Sequence, residues 1–188
     1  MSLEKEFIVY ETHTKLITAL GCSPARREIY MGFEDGIVKS IELDTKNHAQ
    51  TYWEHKGWIT AFLFWPATKI VFCSSNDGTI SVIGAGGLIV DRIFIGQAIY
   101  SMVLNNRKKE LIIGVAKGLQ FHQLNESKES FTHYVNSKPS NVIKEHTDIV
   151  RNVCVMDNRI YSSGYDGTLV IYDSNFSNSA VKYFKNTR

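Results

Sequence analysis

The stretch SSNDGTISVI at residues 74–83 has a near copy in SSGYDGTLVIYD at residues 162–173. Each stretch carries two serines, an Asp-Gly-Thr and then a run in which apolar residues alternate with others. An Asp-Gly pair between two apolar runs is a strong signal for a tight turn that joins antiparallel strands. The two stretches therefore predict two strand–turn–strand units built to one plan.

The same kind of turn recurs along the chain at a nearly fixed spacing. Asp35-Gly36 comes before the first stretch, and Lys117-Gly118 lies between the two stretches in a similar context. Asp35, Asp77, Lys117 and Asp166 are separated by 42, 40 and 49 residues. A period of this size, filled with short strands, is typical of propeller blades of four strands each. We therefore predict an all-β chain of four repeated units.

Histidines keep the same register relative to these turns. His13 and His55 each precede the aspartate of their own unit by 22 residues, and His146 precedes Asp166 by 20. The shorter interval in the last unit predicts a tighter turn at residues 156–159. The third unit lacks both the histidine and the aspartate.

With this register, the units resemble the WD-repeat (WD40) family of β-propellers. The matching stretches are HTKLITALGCSP…YMGFEDGIVKSIEL, HKGWITAFLFWP…FCSSNDGTISVI and HTDIVRNVCV…YSSGYDGTLVIYD, with GQAIYSMVLN…LIIGVAKGLQFHQL as a degenerate third unit. The resemblance covers nearly the whole chain, although no unit contains the Trp-Asp pair itself.

The resemblance implies four four-stranded antiparallel blades within one domain, 1–188, at about residues 13–53, 55–94, 95–135 and 146–186. We place the last strand of the third blade at 130–135 and treat 136–145 as a connection. EFIVYE at 6–11 is an extra strand. Propellers of this family usually close with about seven or eight blades. Four blades therefore imply an open arc, which is a partial propeller, a fragment of a longer one or half of a paired ring. A closed ring of four blades is the remaining alternative, although it fits the family poorly.

In this family an aspartate in the turn bonds a histidine from the loop that enters the blade. The histidine meets a Ser or Thr on the second strand, which meets a Trp on the third. Such a chain of buried polar groups fixes loops against strands. The resemblance assigns these roles to His146, Ser162, Asp166 and Tyr172 in the fourth blade, to His55 and Asp77 in the second, and to His13 and Asp35 in the first. The Ser/Thr and Trp positions are occupied by Cys73 and Ile83 in the second blade, and by Met31 and Ile41 in the first.

One face of the propeller, formed by the loops that enter the blades and by the Asp-Gly turns, is the expected partner surface. Its candidate binding residues are Lys15, Glu34, Trp58, Asn76, Asp148 and Tyr165. Exposed aromatic side chains are typical interface anchors, so Trp58 is the leading candidate. The alternative is that Trp58 packs against a neighbouring blade.

The opposite face carries the turns between the first and second strands of each blade, and these turns are basic. The residues are Arg26, Arg27, Lys69, Arg107, Lys108, Lys109 and Arg159. Such a face could attract an acidic tail, a membrane surface or a nucleic-acid backbone. The alternative is ordinary solubilising charge, because Glu28 and Glu110 dilute the cluster.

Signals for catalysis are weak. GAGG at 84–87 lacks the spacing of a nucleotide-binding loop, and the six histidines show no metal-ligand spacing. The first-strand residues nearest the axis, Ala19, Ala61, Ser101 and Asn152, include no acid or base. We expect no enzyme activity, no cofactor, no metal and no small-molecule substrate.

The sequence thus favours a non-catalytic scaffold that displays loops to other proteins, with self-association or further blades as additional contacts. The second hypothesis is an adaptor for an anionic partner, and the third an enzyme that uses the central channel. The net charge of +2 does not favour nucleic acid or a membrane. Three cysteines without a CxxC pair indicate free thiols, and hence a cytoplasmic protein. The family resemblance adds cytoskeletal, ciliary or nuclear association.

Overall fold

The computed structural model describes residues 14–44, 48–53, 55–84, 86–126, 133–173 and 180–185. These residues form sixteen β-strands in four antiparallel sheets of four strands each, with no helix among them. The expected all-β architecture of four four-stranded blades is confirmed. The predicted extra strand at 6–11 and His13 lie outside the described residues.

Each sheet is one blade, and within it the strands pair side by side in chain order. Blade 1 consists of β1 (Ile17–Ser23), β2 (Glu28–Phe33), β3 (Ile37–Glu42) and β4 (His48–Trp53). Blade 2 consists of β5 (Ile59–Trp65), β6 (Ile70–Ser75), β7 (Thr79–Ile83) and β8 (Ile89–Phe94). Blade 3 consists of β9 (Ser101–Asn105), β10 (Glu110–Val115), β11 (Gly118–Gln123) and β12 (Asn141–Ile143). Blade 4 consists of β13 (Val150–Met156), β14 (Arg159–Gly164), β15 (Thr168–Asp173) and β16 (Ala180–Lys185).

The blades stack face to face in chain order. The first strands β1, β5, β9 and β13 lie next to one another, and an apolar cluster fills each of the three gaps between blades. The middle blades are covered on both faces, so every residue of β6 is buried. Among the described strands, blade 4 does not pack extensively on blade 1, and the four blades form an open arc.

The last strand of blade 3 differs from its predicted position. Residues 130–132 of the predicted strand 130–135 lie outside the described residues, Val135 makes a single bridge to Leu124, and Asn141–Ile143 is the strand that pairs with β11. Residues 133–135 are held differently: Tyr134 N donates to Asp91 Oδ2 of blade 2 at 2.9 Å. The segment 136–145 is thus not a plain connection, and blade 3 extends to Ile143 rather than to residue 135.

The turns between the first and second strands fall into two kinds. In blades 1 to 3 they place Arg27, Lys69 and Lys109 in the left-handed region, with φ of 51°, 57° and 52°. In blade 4 the turn holds two left-handed residues, Asp157 and Asn158, with φ of 47° and 64°. Two consecutive positive φ angles are the mark of a two-residue type I′ hairpin. The predicted tighter turn at 156–159 is confirmed.

The close contact between blades 1 and 2 depends on glycine at position 32. A Cβ on Gly32 would collide with Cβ and Cγ2 of Ile59, which are near the backbone and cannot move aside. We expect Gly32→Ala to lower the free energy of unfolding by about 1–3 kcal/mol through overpacking. Gly86→Ala is the matched control, because a Cβ there meets nothing within 4 Å. Equal losses for the two variants in denaturant titrations would contradict this account of the blade contact.

Candidate functional site

The fourth blade contains a buried polar network centred on His146. Because a carboxylate can only accept, His146 Nδ1 donates to Asp166 Oδ2 at 3.0 Å. The other ring nitrogen, Nε2, then accepts from Ser162 Oγ at 2.8 Å. The imidazole thereby ties the loop that enters the blade to the turn and to the second strand.

Asp166 holds the turn together from within. Its carboxylate accepts from the backbone nitrogens of Thr147 and Thr168, each at 2.9 Å. Burial alone would raise the pKa of Asp166, but these bonds and the contact with His146 outweigh it and lower the pKa below its ordinary value. Tyr172, which replaces the family's Trp, is buried on the same blade, but the predicted bond from its hydroxyl to Ser162 was wrong, because that hydroxyl is buried without a hydrogen bond.

The second blade has the same aspartate and histidine in a different arrangement. Asp77 accepts from Lys56 N at 2.7 Å and from the Thr79 hydroxyl at 2.6 Å. That hydroxyl in turn accepts from His55 Nδ1 at 2.7 Å, while the imidazole and the carboxylate are 3.6 Å apart. A threonine hydroxyl thus mediates the contact that His146 makes directly in blade 4.

The far side of the His55 ring lacks a partner. Nε2 is buried without a hydrogen bond, and Cys73 occupies the position of Ser162 in this blade. Burial lowers the pKa of His55 despite the opposing effect of Asp77, so the ring is neutral. Burial, and secondarily Asp77, raises the pKa of the Cys73 thiol well above its usual range. Cys73 is therefore an uncharged thiol.

The two remaining blades depart further from the network. In blade 1, Asp35 is exposed and accepts from Ile37 N at 3.3 Å, while Met31 and Ile41 fill the other slots and the predicted partner His13 is not described. In blade 3 the turn closes over only two residues, since Val115 pairs with Gly118. A two-residue turn has no position for an aspartate that could bond to the loop entering the blade.

On the face formed by these turns, four apolar side chains mark the starts of the first strands. Leu16, Trp58, Tyr100 and Ile149 lie immediately before β1, β5, β9 and β13, and we call them the mouth ring. In blades 1, 2 and 4 the carbonyl of the ring residue accepts from the turn, through the nitrogens of Glu34, Asn76 and Tyr165. The ring residues are thus positioned by the backbone and not by loose loops.

A groove of about 360 Å³ opens between ring residues of blades 2, 3 and 4. We call it the mouth groove, and it is lined by Thr18, Trp58, Ile59, Thr60, Asn76, Tyr100, Ile149, Arg151 and Tyr165. Its two outermost aromatic side chains, Trp58 and Tyr165, are 56% and 65% exposed. An open, apolar groove with exposed aromatic walls is the kind of surface on which a partner's side chain can be anchored.

Three of the six predicted partner-binding residues, Trp58, Asn76 and Tyr165, line this groove together. The other three lie beside the mouth ring: Lys15 precedes Leu16, Glu34 accepts from Leu16 N at 3.3 Å, and Asp148 accepts from Ile149 N at 2.7 Å. They form a charged rim and are not part of the groove lining.

Sequence reasoning missed six of the nine residues that line the groove, and Leu16 of the mouth ring. Leu16 and Tyr100 each lie 42 residues from Trp58, and Ile149 lies 49 residues beyond Tyr100, which are intervals set by the repeat. Applying the repeat spacing to Trp58 would have found all three. Arg151 had no such signal, because Thr18 and Thr60 stand at the corresponding positions of β1 and β5.

The charge in the groove lining comes from one residue, Arg151. Its Nη1 donates to the carbonyl of Tyr100 at 3.0 Å, which links blade 4 to blade 3. A second link joins blades 1 and 2, where Thr18 Oγ1 donates to the carbonyl of Ile59 at 2.7 Å. The groove walls are thus held by bonds between blades, and the guanidinium keeps further N–H donors for a ligand.

Below the groove lies a cavity of about 340 Å³ near the axis. It shares Thr60, Tyr100 and Arg151 with the groove and is further lined by Ala61, Ser101, Met102, Asn152 and Val153. One guanidinium stands in this lining without a carboxylate, imidazole or thiol beside it. The lining therefore supplies no acid–base pair of the kind that general acid–base catalysis uses.

Three of the seven residues of the basic face pair with neighbouring acids. Arg27 pairs with Asp44 at 2.6 Å, and Lys109 pairs with Glu126 at 2.8 Å. Arg26 is mostly buried, where it pairs with Glu28 at 2.7 Å and donates to the carbonyl of Gly84 at 2.9 Å. Arg26 thus joins blades 1 and 2 and is not presented to a ligand.

The remaining basic residues lie on the turns of blades 2 to 4. Arg107 donates to Asn158 Oδ1 across blades 3 and 4 at 3.2 Å. Lys69, Lys108 and Arg159 complete the set. Across the described segments, no cluster of three or more His, Cys, Asp or Glu side chains could hold a metal ion. The same segments contain no helix that could span a membrane.

Comparisons with known proteins agree with this architecture. The family model for "WD domain, G-beta repeat" matches residues 46–83 and 137–173. These two segments are similar to WD repeats. Each matched WD repeat begins at the outer strand of one blade and ends with the third strand of the next, so sequence repeat and structural blade are offset by one strand.

The crystal structure of the computationally designed Ika4 protein shows the same fold. It is 22% identical to this chain with a TM-score of 0.70, and the match covers 91% of this chain and 99% of that one. In all, 1208 solved chains match, so the fold alone does not indicate a function. No curated protein matches the chain by sequence. WD repeats generally mediate protein–protein interaction and are typically non-catalytic.

The polar network of blade 4 should behave as one energetic unit. We expect His146→Ala and Asp166→Ala each to destabilise the protein by about 1–3 kcal/mol, since each leaves a buried polar partner unmet. The double variant should lose less than the sum of the two, because the residues share one hydrogen bond. Urea titrations of all four proteins measure the coupling. Strictly additive losses would mean that the two side chains do not interact.

Cys73→Ser should give His55 Nε2 the hydroxyl that Ser162 supplies to His146. We expect a gain of about 1 kcal/mol in the free energy of unfolding near pH 8. Because the pKa of His55 is below 6.5 in the folded protein, its neutral form stabilises the fold above that pH and the contribution is lost in acid. Below pH 6.5 a protonated Nε2 would donate to the same hydroxyl, so the gain should persist while the stability of both proteins falls.

Ala67→Ser, which adds a hydroxyl at an exposed turn position, is the control for this substitution and should leave stability unchanged. Thermal unfolding of the three proteins between pH 8 and pH 5 makes the comparison. A Cys73→Ser variant that is destabilised at every pH would show that its hydroxyl does not reach Nε2.

Proposed function

We propose that this protein is a non-catalytic interaction module that binds a segment of a partner protein in the mouth groove. The observation that carries this proposal is the exposed pair Trp58 and Tyr165, from blades 2 and 4, in the lining of one groove. Trp and Tyr contribute disproportionately to binding because a large apolar area is buried by a side chain with few rotatable bonds. The propeller would act by rigid display, holding these anchors at fixed positions.

The framework around the groove supports a preformed site. Asn76 and Tyr165 are held by backbone bonds to Trp58 and Ile149, and the aspartates of blades 2 and 4 fix the same turns from inside. A site whose loops are ordered before binding avoids part of the entropic cost of association. The groove is therefore suited to a partner segment that becomes ordered upon it.

The chemistry of the lining favours a particular kind of segment. The aromatic and aliphatic walls can bind an apolar side chain, and the Arg151 guanidinium can donate to a carboxylate. The lining contains no acid that would pair with Arg151 instead. We therefore expect an apolar residue next to Asp, Glu or a carboxyl terminus. The basic face gains no support as a binding site, because acids already pair with Arg26, Arg27 and Lys109. A cytoplasmic location, with cytoskeletal, ciliary or nuclear association, stays a prediction.

The test is selection from a library of short random peptides, followed by affinity measurement on the selected sequences. We expect enrichment of an apolar residue beside a carboxylate. Trp58→Ala should weaken the selected peptides by at least about 2 kcal/mol without changing thermal stability. Arg151→Gln should weaken the acidic peptides and remove most of their salt dependence.

Phe94→Ala provides the matched control for Trp58→Ala. Phe94 is an aromatic residue of the same blade with 68% exposure, but it lies on the outer strand β8, away from the groove. Its removal should leave peptide affinity unchanged. Peptides that lose affinity equally with both variants, or with neither, would show that the mouth groove is not the binding site.

A further inference from the structure

The burial of the first strands distinguishes the ends of the arc from its middle. In β5 and β9, which lie in the middle blades, no residue is exposed. In β1 and β13, which belong to the end blades, exposed residues recur along the strand. Among them are Leu20 and Cys22 of blade 1, and Cys154 and Met156 of blade 4. Each end of the arc therefore presents an apolar sheet face.

The two faces of a blade have different roles in the stack. We call the face that meets the preceding blade the leading face, and the face that meets the following blade the trailing face. In blade 2, Phe62, Cys73 and Ile83 belong to the leading face and pack against blade 1. Phe72 and Val82 belong to the trailing face and pack against blade 3.

Strand registers show which faces are left open at the ends. Leu20 opposes Met31 in blade 1 as Phe62 opposes Cys73 in blade 2, so blade 1 presents a leading face. Cys154 opposes Tyr161 in blade 4 as Leu63 opposes Phe72 in blade 2, so blade 4 presents a trailing face. One end of the arc is thus an uncovered leading face and the other end is an uncovered trailing face. These are the two kinds of surface that meet between successive blades inside the arc.

Both open faces have the composition of the covered ones. The leading face of blade 1 carries Leu20, Ile29, Met31 and the buried Ile41, and the trailing face of blade 4 carries Met156, Tyr161, Leu169 and Ile171. Leu20 is 66% exposed and Met156 is 57% exposed. End repeats that expose such faces are unstable in water or associate with another chain, and a polar capping face is the usual protection.

We propose that a second copy of this chain covers both faces, with blade 4 of each copy stacked on blade 1 of the other. Because one chain carries both complementary faces, two copies related by a twofold axis satisfy all of them at once and leave no blade uncovered. The contact would repeat the one between blades 1 and 2, where Gly21 of a trailing face meets Phe62 of a leading face. Cys154 of one copy would therefore face Leu20 of the other, with Cys22 two residues away on the same face.

Light scattering after size exclusion tests the assembly directly. We expect twice the chain mass of 21.3 kDa. Leu20→Asp and Leu169→Asp, one on each face, should each convert the dimer to a monomer or a species that dissociates on dilution. Phe94→Asp, outside both faces, should leave the dimer intact. A wild-type chain that is monomeric, with a melting temperature independent of concentration, would overturn the proposal.

The native thiols test the geometry without added cysteines. Cys22 and Cys154 are exposed on the two opposed faces, while Cys73 is buried. A small maleimide should label both thiols slowly in the dimer, because a stacked blade covers each of them, and quickly in the Leu20→Asp monomer. Equal labelling rates of Cys22 and Cys154 in the wild-type chain and in the Leu20→Asp variant would overturn the stacked pair.

This test is independent of the mouth groove. Trp58→Ala should not change the mass, and Leu20→Asp should not change the affinity of a groove peptide for the monomer. Loss of one behaviour with retention of the other therefore identifies which of the two proposals is wrong.

Discussion

Each blade of this chain has two apolar faces, and neither can be buried within the blade itself. The strands pair edge to edge within a sheet, so only stacking on another blade removes the faces from water. This constraint explains why all of β6 is buried while exposed residues recur along β13. It also explains the glycines at Gly21 and Gly32, where blades 1 and 2 approach too closely for a Cβ.

Stacking does not by itself position the loops. In blades 2 and 4 the loops are held by hydrogen bonds to buried polar groups. In both blades an aspartate accepts from the residue that follows the histidine and from the residue two positions after itself. The histidine bonds a different hydroxyl in each blade: it accepts from Ser162 in blade 4 and donates to Thr79 in blade 2. The same sequence motif thus tolerates different bonding as long as the turn carboxylate is satisfied.

The sequence was sufficient for the blade count, the strand order and the tighter turn of blade 4, because turn residues and alternating runs are local signals. It failed where the position of a strand depends on the next blade. The outer strands β4 and β8 end just before His55 and Ile95, because each outer strand leads into the loop that enters the next blade. The same rule applied to His146 would have selected Asn141–Ile143 over 130–135. Which predicted side chains share a groove could not be derived, because that depends on how blades are rotated against each other.

The mouth groove follows from the same stacking. Where blades meet near the axis, the residue before each first strand lies outside the stack, so its side chain is free to be selected for contact with another molecule. Leu16 and Trp58 stand at equivalent positions and are both more than half exposed, although neither contributes to an apolar cluster between blades. Their exposure therefore has no explanation in the packing of the described blades, which is the physical reason for proposing the mouth ring as the site of recognition.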